Sequence, residues 1–217
     1  SGADGSYDVV PSDVREFLVN LPSDNFSADY GYLLPDAIAG IDNNSTDAEI
    51  ITAFDSGELN LGDPETLKSF LVTGVTEFPA DRYALILWDH GGGWTGVGPD
   101  DTDGEDILTL PEIRSGIAEG LAEVGLDSVD LLGFDACLMA TFEVATQVQD
   151  LADVMVASEE LEPGHGWDFS SLEILRDRRD VGAAGLAVEF IDTYAAQAAE
   201  AGTGIDITLS ALDLAEI

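Results

Sequence analysis

The chain has 217 residues, of which 44 are acidic and 7 are basic, and its formal net charge is −37 at pH 7. This length predicts one domain or slightly more, and a hydrophobic content of 45% is enough for a buried core. The charge argues against nucleic acid or an anionic membrane as a partner, because phosphate groups attract Lys and Arg. No apolar run approaches the ~18 residues of a membrane span, and no signal peptide is visible in this chain.

The acidic residues are spread along the chain and do not form one tail. This distribution predicts a halophilic protein, because concentrated salt screens the repulsion among its surface charges. A cation-binding protein, or one that attracts basic partners, is the alternative. The single cysteine excludes an internal disulfide framework and a zinc site built from several cysteines.

The order of predicted elements indicates a mostly parallel sheet covered on both faces. Residues 1–45 are weakly patterned and form a separate N-terminal segment, whereas residues 46–217 form an α/β domain. Strands are predicted over residues 48–54, 83–88, 128–134, 153–157 and 205–212. Helices are predicted over residues 12–21, 64–77, 109–124 and 181–201, and from Cys137 to about Gln149. The apolar run 83–88 is typical of a strand buried on both sides.

Polar residues follow three of these strands at the point where each strand ends. The three groups are Asp89-His90-Gly91, Asp135-Ala136-Cys137 and Ser158-Glu159-Glu160. In a parallel sheet, binding and catalytic sites form at the carboxyl ends of the strands. We therefore expect the three groups to meet at one edge of the sheet.

Cys137 and His90 are the candidate catalytic residues of this edge. A lone cysteine is often a buried structural residue, but the amides at the start of the predicted helix would favour the thiolate of Cys137. His90 is a candidate acid or base near neutral pH, and the three glycines after it offer backbone N–H groups to a ligand. A thiol, an imidazole and backbone donors are the minimum for acyl transfer through a thioester.

The sequence resembles the clostripain family of cysteine peptidases, which is related to caspases, gingipains and legumain. The stretches that carry the resemblance are residues 60–64, YALILWDHGGGW at 83–94, GFDACLMATFEVA at 133–145, ASEELEPGHGW at 157–167 and TLSALDL at 208–214. The His-Gly and Asp-Ala-Cys groups, with Cys137 47 positions after His90, are its most specific part. The resemblance implies a caspase–haemoglobinase-like, three-layer α/β/α sandwich.

The resemblance also implies a role for each residue at the strand ends. Cys137 matches the nucleophile and His90 the catalytic histidine, while the backbone amides of Gly91 and Cys137 match an oxyanion hole. Asp135 matches an acid of the primary specificity pocket, whose wall matches Ser158–Glu159. Cleavage after Arg or Lys is therefore expected, because a carboxylate in such a pocket selects a cation.

These observations predict a salt-adapted cysteine endopeptidase that acts on polypeptides and requires no cofactor. The resemblance also suggests an extracellular or cell-surface location, and it makes calcium a possible ligand of Asp100, Asp101 and Asp103. A solvated acidic loop is the alternative for these three residues. The alternative for the whole chain is a non-catalytic binding or scaffold domain that retains the fold. The sequence does not indicate an oligomeric state.

Overall fold

A computed structural model describes residues 59–100, 103–205 and 207–217 of the protein. Residues Leu61–Ile217 form one compact unit. The helix predicted over residues 12–21, the strand predicted over 48–54 and the domain boundary at 45/46 all lie outside the described residues. The boundary therefore stays a prediction.

The principal sheet has four strands among the described residues. In spatial order, they are β1 (Ala84–Trp88), β4 (Val129–Asp135), β5 (Ala152–Ala157) and β6 (Ser210–Asp213). β1, β4 and β5 are parallel, and β6 is antiparallel to β5. The three strands whose ends carry the candidate residues are therefore neighbours, as predicted.

Local capping signals explain where the first two described helices begin. In α1 (Pro64–Glu77), the Asp63 side chain accepts the N–H of Glu65 at 2.9 Å, with Pro64 in the first turn. In α2 (Leu110–Val124), the carboxylate of Glu112 accepts the N–H of Thr109 at 3.0 Å. The remaining helices are α3 (Phe142–Val148), α4 (Ile174–Asp177) and α5 (Ala183–Ala201).

Two hydrophobic clusters lie on opposite faces of the sheet, which confirms the three-layer α/β/α architecture. One cluster joins α1, α2 and α3 to the sheet through residues that include Leu71, Ile117 and Val144. The other joins α5 to the opposite face through Phe190 and Tyr194. Each large apolar side chain removed from water in this way contributes about 1.5–3 kcal/mol to folding.

Three predicted elements differ from the structure. The acidic loop near residue 100 contains a two-stranded hairpin, β2 (Val97–Asp100) and β3 (Asp106–Leu108). β1 is only partly buried, with Trp88 68% exposed, because it is the edge strand of the described sheet. The last strand is shorter than predicted and occupies Ser210–Asp213.

The third helix starts later than the sequence predicted, and this changes the surroundings of Cys137. The helix α3 begins at Phe142, with Thr141 as its cap, so Cys137 lies in a loop five residues before it. The expectation that helix-terminal amides favour the Cys137 thiolate is therefore wrong. The loop is anchored by hydrogen bonds from Leu138 N to Glu160 O at 3.1 Å and from Ala140 N to Ser158 O at 2.8 Å.

Candidate active site

The register of the central strands brings the His90 and Cys137 segments side by side. Each residue of β1 pairs with the residue 47 positions later in β4, ending with Trp88 opposite Asp135. His90 and Cys137 each follow two residues after this last pair. The 47-residue spacing seen in the sequence is therefore the register of two adjacent parallel strands.

Gly91 allows the two segments to touch. A Cβ at this position would collide with the carbonyl oxygen of Cys137 and would lie 3.0 Å from its backbone nitrogen. Only a residue without a side chain fits this approach. The described residues provide no hydrogen-bond acceptor for the N–H of Gly91 or of Cys137, so both amides remain able to donate to a ligand.

The two candidate catalytic side chains are accessible. His90 is exposed, and its backbone N–H is capped by the side chain of Asp89 at 2.5 Å. Cys137 is half-buried, and its Sγ accepts the backbone N–H of Glu162 at 3.2 Å. The loop that follows β5 therefore contacts the candidate nucleophile directly.

Asp135 is the buried acid of the site. It is 3% exposed, and its Oδ2 accepts the backbone N–H of Trp167 at 3.0 Å. Burial raises the pKa of Asp135, and the hydrogen bonds from Trp167 and Glu162 and the charge of His165 partly offset this effect. The carboxyl is therefore held in one position by the loop that follows β5.

Ser158 and Glu159 occupy different environments. Ser158 is fully buried, and its hydroxyl donates to the carbonyl of Glu160 at 2.9 Å, so it fixes the start of the loop. Glu159 is exposed, and its backbone N–H donates to the hydroxyl of Thr208 at 3.0 Å. The position of Ser158–Glu159 in a pocket wall stays a prediction.

Glu162 contacts Asp135, and sequence reasoning missed it. Its Oε1 accepts the indole N–H of Trp167 at 3.3 Å, and Asp135 Oδ2 accepts the backbone N–H of the same tryptophan at 3.0 Å. Burial, the hydrogen bond to Asp135 and the charge of Asp135 raise the pKa of Glu162 to about 9. One acid among 44 carries no sequence signal of such a contact.

The calcium candidates do not form a described metal site. The carboxylate of Asp100 accepts two backbone N–H groups, from Leu61 at 2.9 Å and from Asp103 at 3.3 Å. Asp103 is exposed, and Asp101 lies outside the described residues. Within the described ranges, no group of three His, Cys, Asp or Glu side chains is arranged to hold a metal ion. Calcium binding at this hairpin stays a prediction.

A separate cavity of about 380 Å³ lies at the opposite edge of the sheet, where β1 and β4 begin. Its lining includes Arg82, Tyr83, Asp130 and Arg179, and none of the candidate site residues that follow the ends of β1, β4 and β5. Because sites in parallel sheets form at the carboxyl ends of strands, the His90–Cys137 edge is the better candidate. Among the described helices, none is both long and apolar enough to cross a membrane.

A comparison with known protein families points to the same class of protein as the fold and the residues at the strand ends. The model of the Clostripain family of peptidases matches residues 13–217, and the chain belongs to this family. Clostripain from Hathewaya histolytica is 36% identical over 134 residues, which cover 53% of this chain and 24% of clostripain. The matched part therefore spans about a quarter of the length of that relative. The resemblance predicted from the motifs is confirmed.

Two solved structures share the fold. A secreted cysteine protease from Bacteroides thetaiotaomicron, in complex with an irreversible peptide inhibitor, matches with a TM-score of 0.59 and 23% identity. An inactive zymogen protease from Parabacteroides distasonis matches with a TM-score of 0.55 and 24% identity. Each match covers 74% of this chain, and 47% and 42% of the respective structures. The caspase-like fold class is confirmed.

Proposed function

We propose that residues 46–217 carry the catalytic unit of a cysteine endopeptidase that acts on polypeptides. The observation that carries this proposal is the register of β1 and β4, by which His90 and Cys137 follow adjacent parallel strands at the same offset. Membership of the clostripain family supports the same chemistry.

The proposed reaction uses groups at one edge of the sheet. The thiolate of Cys137 attacks the carbonyl carbon of the scissile peptide bond, while the amides of Gly91 and Cys137 donate to the oxyanion. His90 protonates the leaving amine, and the thioester on Cys137 is then hydrolysed by water. No cofactor is required for these steps.

Asp135 is proposed to select the residue that precedes the scissile bond. Its buried carboxylate would form charge-assisted hydrogen bonds with the guanidinium of Arg or the ammonium of Lys. Ser158–Glu159 would line the wall of the pocket. Because the site is partly shielded from solvent, salt screens this attraction less than it screens surface charges.

An extracellular location and adaptation to high salt complete the proposal. The structurally similar protease from Bacteroides thetaiotaomicron is described as secreted, which supports the first. The net charge of −37 supports the second. Calcium is proposed only as an accessory ligand of the β2–β3 hairpin.

The test compares the wild-type chain with Cys137→Ala on fluorogenic peptides that carry Arg, Lys or Asp before the scissile bond, in molar salt. Cleavage after Arg and Lys should fall by roughly a thousandfold or more in the variant, because loss of a nucleophile removes covalent catalysis. The exposed Asp153→Asn serves as a matched control and should keep full activity. Activity that survives in Cys137→Ala would contradict the nucleophile assignment, and a folded but inactive wild type would favour the scaffold alternative.

A further inference from the structure

Four large apolar side chains are exposed close to the strand ends that carry His90 and Cys137. Each is between 63% and 74% exposed, and together they are Trp88, Trp94, Phe142 and Leu161. Apolar residues scattered singly over a protein surface are ordinary, whereas several exposed at one place mark a binding surface. In a chain with a net charge of −37, such a group beside the candidate active site indicates an apolar ligand group.

Two of these residues, Trp94 and Phe142, lie on segments that pack against each other. Trp94 follows Gly93 in a short 3₁₀ turn, and Phe142 is the first residue of α3, directly after Thr141. A Cβ at Gly93 would lie 3.2 Å from the carbonyl oxygen of Leu138 and 3.8 Å from Thr141 Cγ2. The turn therefore contacts the start of α3, and this contact places the aromatic pair, Trp94 and Phe142, on adjacent segments.

Backbone hydrogen bonds connect the turn that carries Trp94 to His90. The N–H of Gly98 donates to the carbonyl oxygen of His90 at 2.9 Å, and the N–H of Gly92 donates to that of Gly96 at 2.9 Å. Trp94 is therefore held on a backbone segment that is fixed relative to the candidate catalytic histidine. A ligand that binds there loses little affinity to the ordering of the protein.

The aromatic pair and Asp135 belong to opposite faces of the sheet. Asp135 accepts the backbone N–H of Trp167, which packs with α5 on one face. The segment after Cys137 packs with α1, α2 and α3 on the other face, through the buried side chain of Met139. The turn that carries the aromatic pair contacts α3 and lies on this second face. Cys137 therefore lies between Asp135 and the aromatic pair.

The direction of a bound substrate follows from this arrangement. The acyl part and the leaving amine extend in opposite directions from the scissile carbonyl carbon, because they are bonded to it on opposite sides. With the preceding side chain at Asp135, the leaving half extends towards the aromatic pair. His90, which protonates the leaving amine in the proposed reaction, lies four residues before Trp94. The residue after the scissile bond is therefore the substrate group next to the aromatic pair.

We propose that Trp94 and Phe142 form an apolar subsite for the residue that follows the scissile bond, and that this subsite favours a large apolar side chain. The inference rests on the proposed function and extends it, because it names the class of substrate on the leaving side of the bond. An apolar side chain bound against two aromatic rings removes apolar area of all three groups from water. Molar salt screens the attraction between exposed charges but leaves this apolar burial effective.

The kinetic test uses internally quenched peptides that have Arg before the scissile bond and differ only in the residue after it. In molar salt, the wild-type chain should cleave peptides with Leu or Phe at that position with a kcat/KM about tenfold or more above that for Gly. Trp94→Ala and Phe142→Ala should each reduce this ratio to about threefold or less, because half of the apolar surface is removed. Trp94→Phe keeps an aromatic ring and should restore most of the ratio.

A substrate without a leaving-side residue separates loss of the subsite from damage to the fold. The methyl ester of the same acyl peptide places no side chain against the aromatic pair. Its hydrolysis should therefore agree within about twofold between the wild type and both alanine variants. Phe78→Ala is the matched control, because it removes an exposed aromatic ring at the C-terminal end of α1, before β1 begins. It should change neither the ester rate nor the ratio.

A binding measurement tests the same subsite without cleavage. In the Cys137→Ala background, calorimetry should show that the intact peptide with Leu after Arg binds about tenfold tighter than the peptide with Gly. Adding Trp94→Ala should remove most of this difference, whereas adding Phe78→Ala should leave it unchanged.

The outcomes separate this inference from the proposed function. A wild type that does not distinguish Leu from Gly, or a ratio that survives both alanine variants, would overturn the apolar subsite. An ester rate that falls together with the ratio would assign the two rings a structural role and would overturn it as well. A wild type that cleaves none of the peptides, but whose Cys137→Ala variant binds Leu over Gly through Trp94, would contradict the proposed function and support the subsite.

Discussion

Glu162 is a partly buried acid whose side chain accepts the indole N–H of Trp167, the residue whose backbone N–H binds Asp135, and the stability of the fold follows the protonation of Glu162. The pKa of Glu162 is raised from 4.5 to about 9, so between these values the folded chain binds one more proton than the unfolded chain at this residue. Stability from this group is therefore fully present below the unfolded pKa, and it is lost as pH rises through the folded pKa.

A pH series of melting temperatures tests this residue-level account. Between pH 5 and pH 9 the wild type should lose stability relative to Glu162→Gln, by at most about 1.4 kcal/mol per pH unit for one proton. That slope corresponds to roughly 3–5 °C per pH unit. Glu160→Gln should follow the wild type. Parallel curves for wild type and Glu162→Gln would show that Glu162 holds no excess proton in the folded state.

At the scale of elements, strand β4 and the loop after β5 fit together at Gly133. A Cβ there would lie 3.0 Å from the Ile86 side chain and 3.1 Å from the ring of Trp167. Trp167 is buried, and its ring centroid lies 5.1 Å from that of Phe190. Because the backbone and indole N–H groups of Trp167 donate to Asp135 and Glu162, the position of this one ring sets the geometry of the acid pair.

The substitution Gly133→Val has two opposing effects on the free energy of unfolding, one from strand propensity and one from packing in the core. Valine favours strands and restricts the unfolded chain, which together stabilise by about 1 kcal/mol, but overpacking a tight core costs about 1–3 kcal/mol. We expect net destabilisation in denaturant unfolding and reduced preference for Arg over neutral peptides, because Trp167 is displaced. Gly74→Ala, in a helix with no atom within 4 Å of the new Cβ, is the control and should stabilise slightly. Unchanged stability and preference in Gly133→Val would contradict this packing account.

The elements predicted well from sequence are those determined by local signals. Both α1 and α2 begin where a cap residue and a proline in the first turn indicate a helix start. The start of α3 could not be predicted, because residues 136–141 are held by backbone hydrogen bonds to the distant residues 158–160. The short strands of the β2–β3 hairpin lack the apolar alternation by which strands are recognised.

The candidate site likewise contains residues that local sequence signals predict and a residue that only a tertiary contact places. The strand-end positions of His90 and Cys137 were predictable, because parallel neighbours end at the same edge of a sheet. Glu162 was not, since its contact with Asp135 depends on how the loop after β5 folds back over Cys137. A tertiary contact of this kind leaves no periodic pattern in the sequence.

The dominant feature of the whole molecule is its excess of negative charge. In the described part of the chain, ion pairs engage Lys68 with three acids and Arg114 with Asp150, at N–O distances of 2.6–3.9 Å. With 44 acids and 7 cations, most carboxylates have no cation available. Their mutual repulsion destabilises the compact state and is screened within about 3 Å at 1 M salt.

Melting temperature measured from low to molar potassium chloride tests the halophile hypothesis. It should rise by more than about 5 °C, which corresponds to about 2 kcal/mol for a chain of this size. A non-ionic osmolyte at matched osmolality controls for general compaction and should give a smaller rise. A melting temperature that is constant over this range would contradict salt adaptation.

The central claim is that Cys137 and His90 act together on a peptide carbonyl. Its most direct test is reaction of the wild-type chain with a peptidyl-arginine acyloxymethyl ketone in molar salt at pH 7, followed by mass spectrometry. We predict one adduct per chain, on Cys137 Sγ, formed much faster than with free cysteine and slowed by about a hundredfold or more in His90→Ala. A Cys137 that is left unlabelled, or that reacts no faster than free cysteine, would contradict the account.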